Sequence, residues 1–115
     1  MSSLKRKIEN IKIDDKEYVM AFDMESCEIF KELSGTSILA SLLKLNELDD
    51  ITVLYFIACT LREKETEKIL GEDFLNGNYD LFSVVISLLP TVISIVTAGF
   101  PQDNGKSKKK AKVKN

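Results

Sequence analysis

Few side chains in this sequence are equipped for chemistry. The 115 residues include no histidine. That removes Ser-His-Asp and Cys-His catalysis, His-ligated zinc and haem, and the usual pH switch. Two cysteines are present: Cys27 at a predicted helix start and Cys59 inside an apolar run. With no other soft ligands nearby they make no metal site, and both are expected to be buried, reduced thiols. Asp14-Asp15 and Asp49-Asp50 are adjacent carboxylates, the kind of pair that holds Mg²⁺ or does acid–base work. Both pairs fall at turn or cap positions, so turn and cap chemistry is their expected role. Glu63, Glu65 and Glu67 with Lys64 and Lys68 read as a mixed-charge face with ordinary helix pairing. Gly35 and Gly71 stand alone, and there is no Gly-rich phosphate loop. No catalytic residue, cofactor or metal ligand is assigned, and an enzyme is not expected.

Charge divides the chain in two. Residues 104–115 carry six lysines and no acid, among them Lys106, Lys108, Lys109 and Lys110. Residues 1–103 hold ten bases and eighteen acids, a net of −8. An acidic body repels DNA, so a compact DNA-binding domain is disfavoured. The basic tail reads as a disordered, solvated end. Hydrophobic residues at 44% and charged residues at 30% are ordinary for one globular domain, here residues 1–103. Residues 1–20 lack the apolar core of a signal peptide.

The elements that position these residues follow from pattern. Residues 5–22 read as a β-hairpin: Ile11 and Ile13, then a polar turn at Asp14–Glu17, then Tyr18, Met20 and Phe22 in alternation. Asp23 caps a short helix to Leu33, which Gly35 closes. Thr36 or Ser37 caps the next, whose apolar face is Ile38, Leu39, Leu42, Leu43 and Leu45. Asp49 or Asp50 starts a helix to about Glu63 that is apolar all round, as a central core helix is. Ile69 and Leu70 are the expected inward residues of the charged stretch that follows. Phe74 and Leu75 then anchor the chain before the turn Asn76-Gly77-Asn78.

Residues 81–102 contain no charge. A run that long is a transmembrane candidate. Pro90 sits inside it, and its C-terminal border has no Trp or Tyr belt. Ser83, Ser87, Thr91, Ser94 and Thr97 share one arc; Leu81, Val85, Leu89, Val92 and Val96 lie opposite. This is an amphipathic helix with a mild polar face. So much apolar helix surface reads either as a well-filled core or as a partner site, and for the partner Leu81, Val85, Leu89, Val92, Val96 and the tail lysines are the expected contacts. There is no internal repeat and no heptad run long enough for a coiled coil. The fold class expected is mainly α (α+β): an N-terminal β-hairpin followed by a bundle of about four to five helices.

The stretch "IKIDDKEYVMAFDMESCEIFKELSGTSIL" resembles the start of siphophage tail assembly chaperones, through Ile11, Ile13, Tyr18, Phe22, Phe30, Leu33 and Gly35. "DDITVLYFIACTLRE" is similar to that family's central apolar helix, and the likeness covers about residues 8–99. It departs from the family in an unusually uncharged final helix interrupted by Pro90. The resemblance implies a non-enzymatic role in the host cytoplasm. Such proteins bind the aggregation-prone tape measure protein and help tail tube subunits polymerise around it. They are absent from the finished virion. It also implies a longer frameshifted form, for which Lys108-Lys109-Lys110 suits an A-rich slippery stretch. Self-association is open. The rival readings are a membrane protein anchored through residues 81–102 and a small regulatory protein whose lysine tail binds nucleic acid.

Overall fold

A computed structural model describes residues 7–98. Strands β1 (Ile8–Ile13) and β2 (Lys16–Ala21) pair antiparallel, from Ile13 opposite Lys16 to Ile8 opposite Ala21. The turn is only Asp14-Asp15, with φ of 50° and 68°. Two left-handed residues match the twist of a two-residue hairpin, and aspartate tolerates that region better than most. This carboxylate pair is therefore turn chemistry.

Helix α1 (Met24–Ser34) begins at Asp23, whose carboxylate accepts from the Ser26 amide at 3.2 Å. The Ser26 hydroxyl accepts in return from the Asp23 amide at 3.3 Å, completing a capping box. Gly35, at φ 79°, closes the helix with its amide on the Lys31 carbonyl. Ser37 caps α2 (Ile38–Asn46), its hydroxyl accepting from the Ala40 amide at 3.1 Å. Asp49 caps α3 (Asp50–Thr60) through the Thr52 amide at 3.0 Å and hydroxyl at 2.8 Å. These bonds favour the ionised form and lower the Asp49 carboxyl below its usual range. The second carboxylate pair is cap chemistry.

Helix α3 is the centre of the molecule, packed by α1, α2, α4, α5 and β2. Phe56, Ile57, Ala58 and Cys59 are wholly buried along it. The Phe56 ring lies 4.8 Å from that of Phe30 on α1. Elements α4 (Glu72–Leu75) and α5 (Leu81–Ala98) follow, making an α+β fold with an N-terminal hairpin and five helices.

One boundary is corrected. Helix α3 stops at Thr60, not near Glu63. The free edge of β2 lies beside it, and Leu61–Glu63 joins that edge as β3. Pairing there satisfies backbone groups that another helical turn would leave to solvent. The sheet order is β1-β2-β3. The chain then reverses: Glu63 N–H reaches the Lys68 carbonyl, and Leu70 N–H reaches the Leu61 carbonyl. Residues 63–70 thus form a tight return and not a charged helix. Lys64 pairs with Glu17 on β2 at 2.8 Å rather than within its own segment. Ile69 is buried and Leu70 half-buried, as expected.

Candidate protein-binding surfaces

Two apolar surfaces remain uncovered among the described residues. The first lies between α1 and α2. The linker is only Gly35–Ser37, and both flanking caps are hydrogen-bonded, so the two helices are held at a fixed spacing. Ser34 reinforces it, donating to the Phe30 carbonyl at 2.8 Å and accepting from the Thr36 amide at 3.1 Å. Between the helices is an open groove of about 600 Å³ lined by Met24, Cys27, Ile38 and Leu39. Glu28, Lys31 and Glu32 edge it. Met24 is 70% exposed, Leu39 74% and Leu43 67%. The pattern assigns Leu39 and Leu43 to the inner face of α2. The structure turns Ile38 and Leu45 inward and leaves Leu39 and Leu43 in water. A nine-residue helix with five large apolar side chains is broader in its apolar arc than the surface it packs on.

The second surface is on α5. Of the contacts expected there, Val85, Val92 and Val96 are buried in the chain's own core, and Leu81 and Leu89 are half-buried against it. Val85, Val92 and Val96 make an inner face occupied by α3 and β1, with Leu81 and Leu89 at its border. The exposed apolar residues are Phe82, Ile86 and Ile93 instead. The expected contacts Lys106, Lys108, Lys109 and Lys110 lie outside the described residues, as does the end of the 81–102 run.

The chemistry available is limited. Burial, then the nearby carboxylates Asp23 and Glu28, push the Cys27 thiol up from its ordinary value. Burial pushes Cys59 up further. Both are protonated at neutral pH and so poor nucleophiles. Cys59 is buried as expected; Cys27 is only half-buried, at the groove. No cluster of three metal-ligating side chains occurs among the described residues.

Two internal polar contacts escape the sequence pattern. Arg62, 2% exposed, sends Nη2 to Asp23 Oδ1 at 2.9 Å and to the Ala21 carbonyl and Ser26 hydroxyl at 3.3 Å each. The Tyr18 and Tyr79 hydroxyls meet at 2.8 Å. Charge-pattern reading places an arginine in solvent by default, and only the third strand brings Arg62 inward. Compared with known protein families, with curated proteins and with solved structures, the chain matches none.

Proposed function

We propose that this chain is a non-enzymatic protein-binding module, a phage tail assembly chaperone whose client is a helical segment of a tape measure protein. The observation that carries this reading is the α1–α2 groove, with Met24, Leu39 and Leu43 exposed on two firmly capped helices. An apolar groove on a rigid helix pair suits an amphipathic client helix, which would lay its own apolar stripe between α1 and α2. Contiguous exposed apolar surface is uncommon on a chain that works alone. The sequence resemblance supplies the identity of the client. On this reading the protein works in the host cytoplasm, assists tail tube assembly and is absent from the virion.

Co-expression with fragments of a tape measure protein tests it. The expected result is a stable co-purifying complex that Leu39→Asp abolishes while the variant stays folded. No complex with any fragment sinks the reading.

A membrane anchor is the second reading. One observation favours it: α5 is long and apolar enough to span a bilayer, with a mean hydropathy of 2.3. Against it, a third of α5 is buried against α3 and β1, and extraction into lipid would strip that core. Detergent-free fractionation separates the two readings. A monodisperse protein in the supernatant excludes the anchor.

A further inference from the structure

Phe82 and Ile86 are exposed on α5, Ile93 is 37% exposed, and Leu89 is half-buried beside them. Their spacing is four, three and four residues. At 100° per residue they fall within about 60° of arc. That is the d-a-d-a order of a coiled-coil seam over two heptads. Alone it is too short to hold two helices together, but α5 is already fixed to its own core and needs no support from the pairing.

The spacing is also self-complementary. Run antiparallel about a two-fold axis near Ser87 and Leu88, Phe82 meets the partner's Ile93, and Ile86 meets the partner's Leu89. We propose that two copies of this chain pair through α5 as an antiparallel, two-fold symmetric dimer. The inference stands on α5 alone and does not rest on the client reading, which uses the α1–α2 groove.

Three observations select a second copy. The first is charge. Residues 81–98 carry none, whereas residues 1–103 hold a net of −8. Two acidic bodies repel over most of their surfaces, and this helix is where facing residues carry no charge of their own. Asp80, bonded to Ser83, lies at one end and Lys7, bonded to Ser94, towards the other, so an antiparallel pair brings unlike charges near each other. The outer flank of the seam, Ser83, Pro90 and Thr97, is uncharged too. The second is a receiving hollow. Ile51 and Leu54 on α3, with Leu81, Phe82 and Val85, line an open hollow of about 170 Å³ at the Phe82 end, and Asp50 edges it. In the antiparallel register this is where the partner's Ile93 comes down. The third is size. An 18-residue helix spans about 27 Å and, with the edge of α3, about 20 Å of width, so roughly 1,000 Å² is buried across both copies. That clears the size at which an interface is argued as specific and falls among weak, transient ones, so the dimer is expected to form in a concentration-dependent equilibrium.

The test is sedimentation equilibrium of the full chain without detergent, at concentrations up to about 100 μM. A monomer–dimer equilibrium is expected. Ile86→Glu should weaken it about 30-fold or more, the loss typical of a central interface residue. Ile86→Ala, a truncation of an exposed side chain, should weaken it less but in the same direction, with an unchanged melting curve. Register is read from charge exchange. Phe82→Lys and Ile93→Glu should each weaken the dimer, and the double variant should recover it, because opposite charges then face each other at both ends. Only the antiparallel register gives this recovery; a parallel pair sets like charges together. A monomer at the highest concentration overturns the proposal. So does a dimer indifferent to Ile86→Glu, a double variant weaker than either single, or a chain that enters lipid vesicles through α5.

Discussion

Arg62 Nη2 and the Ser26 amide converge on one atom, Asp23 Oδ1, at 2.9 and 3.2 Å. The N-cap of α1 is thus also the counter-ion of a buried arginine on β3. This ties the third strand to the first helix across 39 residues of sequence. The Arg62 side chain is 3% exposed and its Nε has no hydrogen-bond partner; Glu25 adds a weaker contact at 3.9 Å.

The two partners should therefore respond unequally to mutation. Asp23→Ala removes a cap and leaves a buried guanidinium poorly compensated, so a loss of about 3–5 kcal/mol is expected. Asp23→Asn keeps a good cap and should cost less than Asp23→Ala. Arg62→Met leaves a carboxylate that still caps α1 and is about a third open to water, so it should cost less again. Combining Arg62→Met with Asp23→Asn should return stability to within about 1 kcal/mol of the parent, because a buried ion pair repays little of its desolvation. Urea unfolding of the four variants checks the order.

Alkaline stability should depend on Tyr79. The hydrogen bond to Tyr18, and then partial burial, push its hydroxyl up from the usual value of 10.0 to about 12. A raised phenol binds its proton more tightly folded than unfolded. Its stabilisation is fully present below pH 10 and is lost as pH rises through 10 towards 12. Tyr79→Phe should cost about 1 kcal/mol at neutral pH and flatten the fall in melting temperature over that window. An equal fall in both proteins would remove Tyr79 as its cause.

The same residues show what a linear sequence discloses. Asp23, Gly35, Ser37 and Asp49 are local signals, since a cap is decided by two to four neighbouring residues, and all four sit as their chemistry dictates. Tyr18 and Met20 alternate as a strand for the same local reason. Leu61–Glu63 is different. Nothing in Leu-Arg-Glu argues for strand, and it becomes one because β2 offers an unpaired edge. Arg62 is buried as a consequence. The face of α5 was legible as a period but not as an assignment. The valine-rich arc turned to the core together with Ile95, and Ile86, Ile93 and Phe82 beside it stayed outside.

Leu48 offers a stabilising substitution. Its amide bonds the Leu45 carbonyl at 2.9 Å, and the next amide, of Asp49, bonds the Lys44 carbonyl at 3.0 Å. This is a Schellman close, and its left-handed position is normally glycine. Here it is leucine at φ 62°, with a side chain 57% exposed. The left-handed backbone costs a residue with a Cβ roughly 1–2 kcal/mol, and glycine gives back about 0.5–1 through its freer unfolded chain. Leu48→Gly should therefore raise stability by up to about 1 kcal/mol. Gly35→Ala at φ 79° should do the opposite by about the same amount, although nothing lies within 4 Å of the added methyl. Thermal melts of both variants decide it.

The two thiols report on the groove. At neutral pH, burial and carboxylate neighbours keep Cys27 protonated, and it should alkylate more slowly than a free thiol. Cys59, wholly buried, should not react until the chain unfolds. Iodoacetamide followed by mass spectrometry should therefore label Cys27 slowly in buffer and both cysteines quickly in urea. Cys27 shares the groove with Met24, Ile38 and Leu39, so a client helix seated there should slow its labelling further. Leu39→Asp should abolish both the client complex and this protection, because a carboxylate at that position would be desolvated by the client without a partner. A client that binds while Cys27 labels at an unchanged rate sits elsewhere on the molecule, and the α1–α2 groove is then not its site.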